Sequence, residues 1–524
     1  MKSKNSINNI LTAIRKNAFH KSIIFKFFIY ILLFSALISG IALRSVEVIN
    51  KNFLFGFDQG RDYLAVKNIV VDHKLTLIGS EIGAGVAGFS GIFHGPFYYY
   101  LLAFPFLIFS GDPYGGMVLM YILGIGTIIL GYIIGRKLFG ARVGLLTATI
   151  LVVSPPFISY TRFIWNSNPA PLFILCAFYF LSSFIKKGKT KYLFWASFFS
   201  SFVYNFQLAM AIPLSFTLIV YCLLVLRLKQ IKQYGALFLG MIIAFSPMLL
   251  FEIRHGFQAI KGLSIYIFNH PETATTQTFW VLLLRDHLLV FFRNFLSTFP
   301  SQSIIPSVAI IAILPAIFYL LKKEKDKQRR QFVLYLLLLM PVTFIVLGFL
   351  RNFVYNYYLI HLNLAYIFLV IYVISSVFKT RNKIVNSFVI IYIAILLLSS
   401  VFSNIKTFYY DIADYGGIHK IRGKIDAIDY IYKDANGERF GLFVFSPPIY
   451  IYPYDYLISW YGKKKYGYTP HQEKKGLVYL LIEKDTSKPW SYQGWLETVI
   501  KGGDTVNTEQ LQNGFIIQKR LFKE

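Results

Sequence analysis

Phe57-Asp58-Gln59-Gly60-Arg61-Asp62-Tyr63 follows the first long apolar run of the chain. It lies in the stretch from Glu47 to Glu81, which holds five of the eleven carboxylates found in residues 1–403. The rest of that region is nearly acid-free and reads as membrane. Ionisable residues beside a bilayer are costly and tend to be kept where they act. The cluster is therefore a candidate catalytic site, and the plain alternative is a solvated loop.

Composition supports the membrane reading. Of 524 residues, 56% are hydrophobic and only 15% charged, against ~25% charged in ordinary soluble domains. Mean hydropathy is +0.55. The formal net charge of +28 raises the question of nucleic acid, but its distribution argues against that partner. Residues 1–403 hold 36 Lys+Arg and 11 Asp+Glu, whereas residues 404–524 hold 17 and 14. The basic excess sits in short loops between apolar runs, as the positive-inside rule requires. Cys176 and Cys222 both fall in apolar runs, so neither a disulfide framework nor a metal spacing is available.

Runs near 22–43, 114–135, 143–160, 169–185, 192–206, 208–226, 235–251, 303–321, 332–350, 356–378 and 384–403 predict eleven spans. The first has no small-x-small cleavage site and is expected to be a retained signal anchor. Residues 96–110 are short and interrupted by Pro105. Residues 279–298 contain Arg285, Asp286, His287 and Arg293. Both suit interfacial or re-entrant helices better than spans. With both left at the surface, 25 Lys+Arg and two acids fall on one side of the membrane, and 11 Lys+Arg and nine acids on the other. This predicts a multi-pass cell-membrane protein with a cytoplasmic N-terminus and an extracytoplasmic C-terminal domain.

Two domains are expected. The first, 1–403, is an all-α transmembrane domain with a long first outer loop at 44–113; loops of that length are commonly functional. The second, 404–524, is a small α/β domain. It has a helix over 418–433 and strands over Phe440–Phe445, Leu477–Glu483 and Phe515–Leu521. Tyr450, Tyr452, Tyr454 and Tyr456 alternate, and read as one face of an extended segment. Such a face serves either an acceptor or packing against the membrane domain. Pro447, Pro448 and Pro453 argue against a central strand.

Three motifs, in order, resemble the GT-C class of polyprenyl-phosphate-dependent membrane glycosyltransferases, in particular the protein O-mannosyltransferase and aminoarabinose transferase group. The first is Asp58-Gln59 with Tyr63, where those enzymes carry an Asp-Glu pair; here the Glu is Gln. The second is His94-Gly95-Pro96-Phe97-Tyr98-Tyr99-Tyr100, similar to a His-Pro-Pro motif that enters an apolar segment. The third runs from Lys137 to Gly144, then Ser154-Pro155 and Arg162. Asn166 and Asn168 stand where an Asp is usual.

The resemblance implies transfer of a sugar from a polyprenyl phosphate to a lipid, glycan or protein acceptor at the outer face, by direct attack with inversion. It implies no metal or other cofactor. A phosphate leaving group needs no proton, so one carboxylate that takes the acceptor's proton suffices, and Asp58 is that general base. The departing phosphate needs fixed positive charge or donors. Arg61, His94, Arg162 and Arg351 are the expected groups, with Asp62, Tyr63 and Asn166 in support. Snorkelling toward headgroups is the alternative role for the arginines. Asp62 is either a second acid or a partner of Arg61. Tyr98, Tyr99 and Tyr100 are either an aromatic belt or a sugar platform. A transporter or flippase of lipid-linked saccharides is the competing function. It would need polar groups near the midplane, which the predicted spans scarcely hold.

Overall fold

The computed structural model describes residues 29–82, 91–268, 281–300, 315–348, 354–380, 382–447, 450–485 and 487–523. The chain opens with α1 (Ile29–Arg44), α2 (Val46–Asn50), α3 (Phe57–Val70), α4 (Phe97–Ile108), α5 (Tyr114–Phe139) and α6 (Ala141–Val153). Among the described residues, seven helices are long and apolar enough to cross a membrane. They are α5, Ala170–Lys187, Leu208–Leu226, Ile231–Arg254, Lys327–Gly348, Asn356–Lys379 and Lys383–Ala413. All seven coincide with expected spans. Of the other four, 22–43 and 303–321 lie partly outside the described residues.

The remaining two are shorter than expected, for local reasons. The apolar run 143–160 breaks after Val153 because Pro155 cannot continue the helix; a short helix Pro155–Ser159 restarts there. Helix Thr190–Phe202 ends in a tight turn, Val203–Asn205, after which Gln207 caps Leu208–Val220. Residues 97–108 and 288–297 also form short helices.

Helix Asn356–Lys379 is the most enclosed of the long helices. Some of its polar atoms bond to neighbouring helices: Asn363 Nδ2 donates to Thr298 at 2.7 Å and to Asn294 at 3.1 Å, and His361 pairs with Thr343 at 2.8 Å. Burial without partners would cost each such group ~1–3 kcal/mol. Gly131 and Gly135, one turn apart on α5, let α6 approach closely. A Cβ at either would meet Leu151 or Thr147 at 2.1 and 2.4 Å.

The last membrane helix continues to Ala413, so the expected 403/404 boundary falls inside it. Beyond it stands a four-stranded sheet of β1 (Gly441–Phe445), β2 (Gly476–Ile482), β3 (Asp504–Gln510) and β4 (Ile516–Phe522), in the order β1-β2-β4-β3. β1 and β2 are parallel; the other pairings are antiparallel. Helix Ile421–Ala435 covers the sheet with Ile428, Ile431 and Tyr432. Two backbone bonds tie this domain to the start of the long loop: Phe55 N–H to His419 O at 3.2 Å and Ile421 N–H to Phe53 O at 2.9 Å.

One expectation fails here. The alternating tyrosines do not share the face of an extended segment, because Tyr452–Leu457 is helical, with Pro453 in its first turn. Tyr456 turns toward α3, where it meets Tyr63 edge-on at 5.1 Å, while Tyr454 points into the sheet domain.

Candidate active site

The cluster occupies the first two turns of α3. Asp58 lies in the first turn, where the helix dipole favours an acid. Arg61, three residues on, shares its face and pairs with it, Nη1 to Oδ1, at 2.9 Å. Arg61 also folds back on its neighbour: Nε and Nη2 donate to Asp62 Oδ1 at 2.9 and 2.8 Å. One guanidinium thus bridges two carboxylates in different surroundings. The Asp58 side chain is 39% exposed and that of Asp62 only 2%.

These surroundings set the charges. Burial pushes the Asp62 carboxyl up to about 6, against the pull of Arg61, with Asp58 adding to the rise. Burial opposes the charge on Arg61, but Asp62 and Asp58 outweigh it and raise its pKa above the ordinary value. His94 is buried beside Arg61. Burial first, and then that positive charge, hold its imidazole down at about 3. It is therefore neutral at neutral pH and brings no charge to the cluster. Its Nδ1 finds no hydrogen-bond partner among the described residues.

Gln59 and Gly60 hold the cluster in place. Gln59 is buried; its oxygen accepts from Gly56 N–H at 2.9 Å, and its nitrogen donates to Ile164 O at 2.6 Å. Only an amide performs both tasks, which accounts for Gln where an acid was expected from the resemblance. Gly60 faces the helix Tyr452–Leu457, and a Cβ there would lie 2.3 Å from Pro453 N. Tyr63 is fully buried. Its hydroxyl donates to Pro113 O and accepts from Gly116 N–H, both at 3.1 Å, which fastens α3 to the start of α5.

The His94 motif arrives through a paired stem: Gly79 N–H bonds to His94 O at 2.8 Å, and His94 N–H to Ser80 O at 3.0 Å. Asn205 accepts from Phe97 N–H at 3.1 Å and so fixes the entry of α4. Tyr98 and Tyr99 come down beside Asp62 and Arg61. Most of the glycine-rich stretch Gly79–Gly91, namely 83–90, lies outside the described residues. Tyr357 stands close enough to Asp58 to feel its charge, and Trp165 meets Tyr357 edge-on at 4.5 Å. Tyr357 and Trp165 thus pack on one another beside the cluster; Trp165 carries no local signal.

The other expected residues have other partners or lie outside the described residues. Arg162 is clamped by buried Glu47 (Nη2 to Oε1, 2.6 Å) and by Asp411 (2.7 Å), at the edge of a cavity of about 550 Å³ reached by Ser400 and Asn404. Its charge is matched twice by carboxylates. Asn166 is buried and donates to Phe206 O at 2.7 Å, a bond that joins two loops. Arg351 lies outside the described residues. The structure thus brings Asp58, Arg61, Asp62 and His94 together, with Tyr63 as an anchor; Arg162 is engaged by Glu47 and Asp411, and Asn166 by Phe206.

The fold has counterparts among solved structures. It is similar to the crystal structures of ArnT from Cupriavidus metallidurans, with a TM-score of 0.55 to the form bound to undecaprenyl phosphate and 0.58 to the apo state. Identity is 10% in both, over 94% of this chain and 98% of the ArnT chain. A family model described as dolichyl-phosphate-mannose-protein mannosyltransferase matches residues 93–251. That span takes in the His94 motif, the Lys137–Gly144 turn and Arg162, and begins after the Asp58 cluster. No curated protein matches the chain. The structural likeness shows the fold, and the family model shows a likeness of residues 93–251 to that family.

Proposed function

We propose that the chain transfers a sugar from a polyprenyl phosphate to an acceptor hydroxyl or amine at the outer face of the membrane, with Asp58 as general base. The undecaprenyl phosphate bound by ArnT and the dolichyl phosphate in the family description support a lipid-phosphate donor. The observation that carries the reading is the division of labour around Arg61. Asp62 holds two of its nitrogens from the buried side, which leaves Nη1 and the half-exposed Asp58 at the open side.

The chemistry follows from that arrangement. The donor phosphate attracts Nη1 away from Asp58, as a bidentate-capable guanidinium favours phosphate. Asp58 is then released to take a proton. The acceptor's heteroatom forms a bond to the anomeric carbon as the bond from that carbon to the phosphate oxygen breaks. The acceptor proton passes to Asp58, and the electron pair leaves with the lipid phosphate beside Arg61. Asp62, with its raised pKa, accommodates the added negative charge by taking up a proton more readily than an ordinary carboxyl. His94, neutral and with a bare Nδ1, offers one hydrogen bond to the donor.

The test is transfer from radiolabelled polyprenyl-phosphate sugars in membranes, wild type against Asp58→Asn. Label moved by the wild type and not by the variant supports the mechanism. Undiminished transfer by the variant removes Asp58 from the role of base.

A further inference from the structure

A second cavity of about 280 Å³ opens where the first residues of α3 meet the sheet domain. Gly56 and Phe57 form one wall, so it begins one residue from Asp58. Tyr450, half exposed, stands at its rim, edge-on to Phe57 at 5.4 Å and stacked on Tyr452 at 5.5 Å. The opposite wall is polar. Lys424, Ser446 and Glu483 line it, and all three are buried. Lys424 Nζ and Ser446 Oγ bond to Glu483 Oε2 at 3.2 and 3.1 Å, and the Tyr454 hydroxyl donates to the same oxygen. All these bonds fall on Oε2, which leaves Oε1 available as an acceptor.

We propose that this cavity is an acceptor subsite that binds one neutral sugar ring of a glycan or glycolipid. Lys424 pairs with Glu483, and the rim adds one cation, Lys484, and one acid, Asp485, so the lining carries as many acids as lysines. A phosphate or carboxylate gains little from a site whose charges are already matched, whereas a polyhydroxylated ring finds both a donor and an acceptor. Tyr450 and Phe57 supply the aromatic faces on which the C–H side of a pyranose rests. The volume is near the lower end of the ~300–1,000 Å³ of small-molecule pockets, which suits a single ring. Burial lowers the Lys424 pKa, so its ammonium is the more ready to share a hydrogen bond with a neutral hydroxyl. A ring seated here hands the next sugar of the acceptor toward Asp58 along Phe57, whose ring also carries the Arg61 guanidinium at 5.6 Å.

The inference rests on the transferase reading and deepens it to a carbohydrate acceptor, and its test does not depend on turnover. The full chain in detergent micelles is titrated with methyl glycosides of mannose, glucose, galactose and N-acetylglucosamine, with saturation-transfer NMR as the readout. At least one glycoside is expected to bind the wild type. Tyr450→Ala and Ser446→Ala each weaken that binding about ten-fold, Tyr450→Phe restores it, and Asp58→Asn leaves it unchanged. No binding by any glycoside overturns the proposal. So does binding that survives Tyr450→Ala but is lost in Asp58→Asn, since that sugar sits at the catalytic cluster. Displacement of the glycoside by inorganic phosphate at equal concentration also overturns it. Loss of transfer in Asp58→Asn is scored separately and decides only the base.

Discussion

Arg61 holds Asp62 with Nε and Nη2 at 2.9 and 2.8 Å and reaches Asp58 with Nη1 at 2.9 Å. Adjacent helical residues ordinarily point ~100° apart. The length of the arginine lets it cross that gap and join a buried acid to an exposed one. The two acids consequently behave differently, and mutation separates them.

Asp58→Asn removes the proposed base while keeping shape and one hydrogen-bond acceptor. Transfer is expected to fall by about 10²–10⁴-fold with little change in unfolding temperature, since the carboxylate is partly solvated. Radiolabel transfer and a thermal melt on the same preparation check both halves.

Asp62 carries the pH dependence. Its folded pKa, about 6, lies above the ordinary carboxyl value of 3.8, with burial as the main cause. Below 3.8 both folded and unfolded states are protonated, and the group has no net effect. As pH rises from there to about 6 the unfolded state loses the proton first, so stability falls by roughly 1–3 kcal/mol and then levels. Asp62→Asn should flatten that segment of the curve. Melting temperatures of wild type and variant between pH 4 and 7 test this; parallel curves would count against it.

Gly60→Ala should part the sheet domain from α3. The added methyl would meet backbone atoms of Tyr452 and Pro453 at 2.3–2.6 Å, and backbone cannot rotate aside as a side chain can. A loss of about 1–3 kcal/mol and faster proteolysis near residues 450–460 are expected.

Arg162 is predicted to be structural. Arg162→Ala leaves buried Glu47 without its bidentate partner, at a cost of ~3–5 kcal/mol. The double variant Arg162→Ala with Glu47→Gln should recover most of that loss. A double-mutant cycle in denaturant measures the coupling, and additive losses would refute the pairing.

Gln59→Glu tests whether the acid absent from this position is missed. A carboxylate accepts from Gly56 N–H but cannot donate to Ile164 O, so a carbonyl loses its partner. The variant is expected to be less stable by about 1–3 kcal/mol and no faster in transfer. Increased turnover would point to a second acid after all.

Much of this was legible along the chain because the signals are local. Apolar runs marked each of the seven long helices, and the sequence offered Asp62 as a partner of Arg61; that Arg61 also pairs with Asp58 one helical turn away came from the structure. Strands β1, β2 and β4 are apolar enough to see. The sequence offers no signal for β3 because Asp504–Gln510 is an exposed polar edge, held chiefly by its ladder with β4. The tyrosines 450–456 misled because alternation is also what a short helix can show when Pro453 starts it and neighbours take each ring separately.

What the sequence by itself determined is the membrane class, the position of the acidic cluster and the presence of an α/β domain; each depends on composition or on residues within a few positions of one another. Tertiary structure alone decided the rest: that Arg162 is consumed by Glu47 and Asp411, that Gln59 spans to Ile164, that Gly60 admits Pro453, and that a polar cavity faces Phe57. Those outcomes join residues separated by 100 to 400 positions, and such contacts are set by which helices pack side by side, not by any local pattern of side chains.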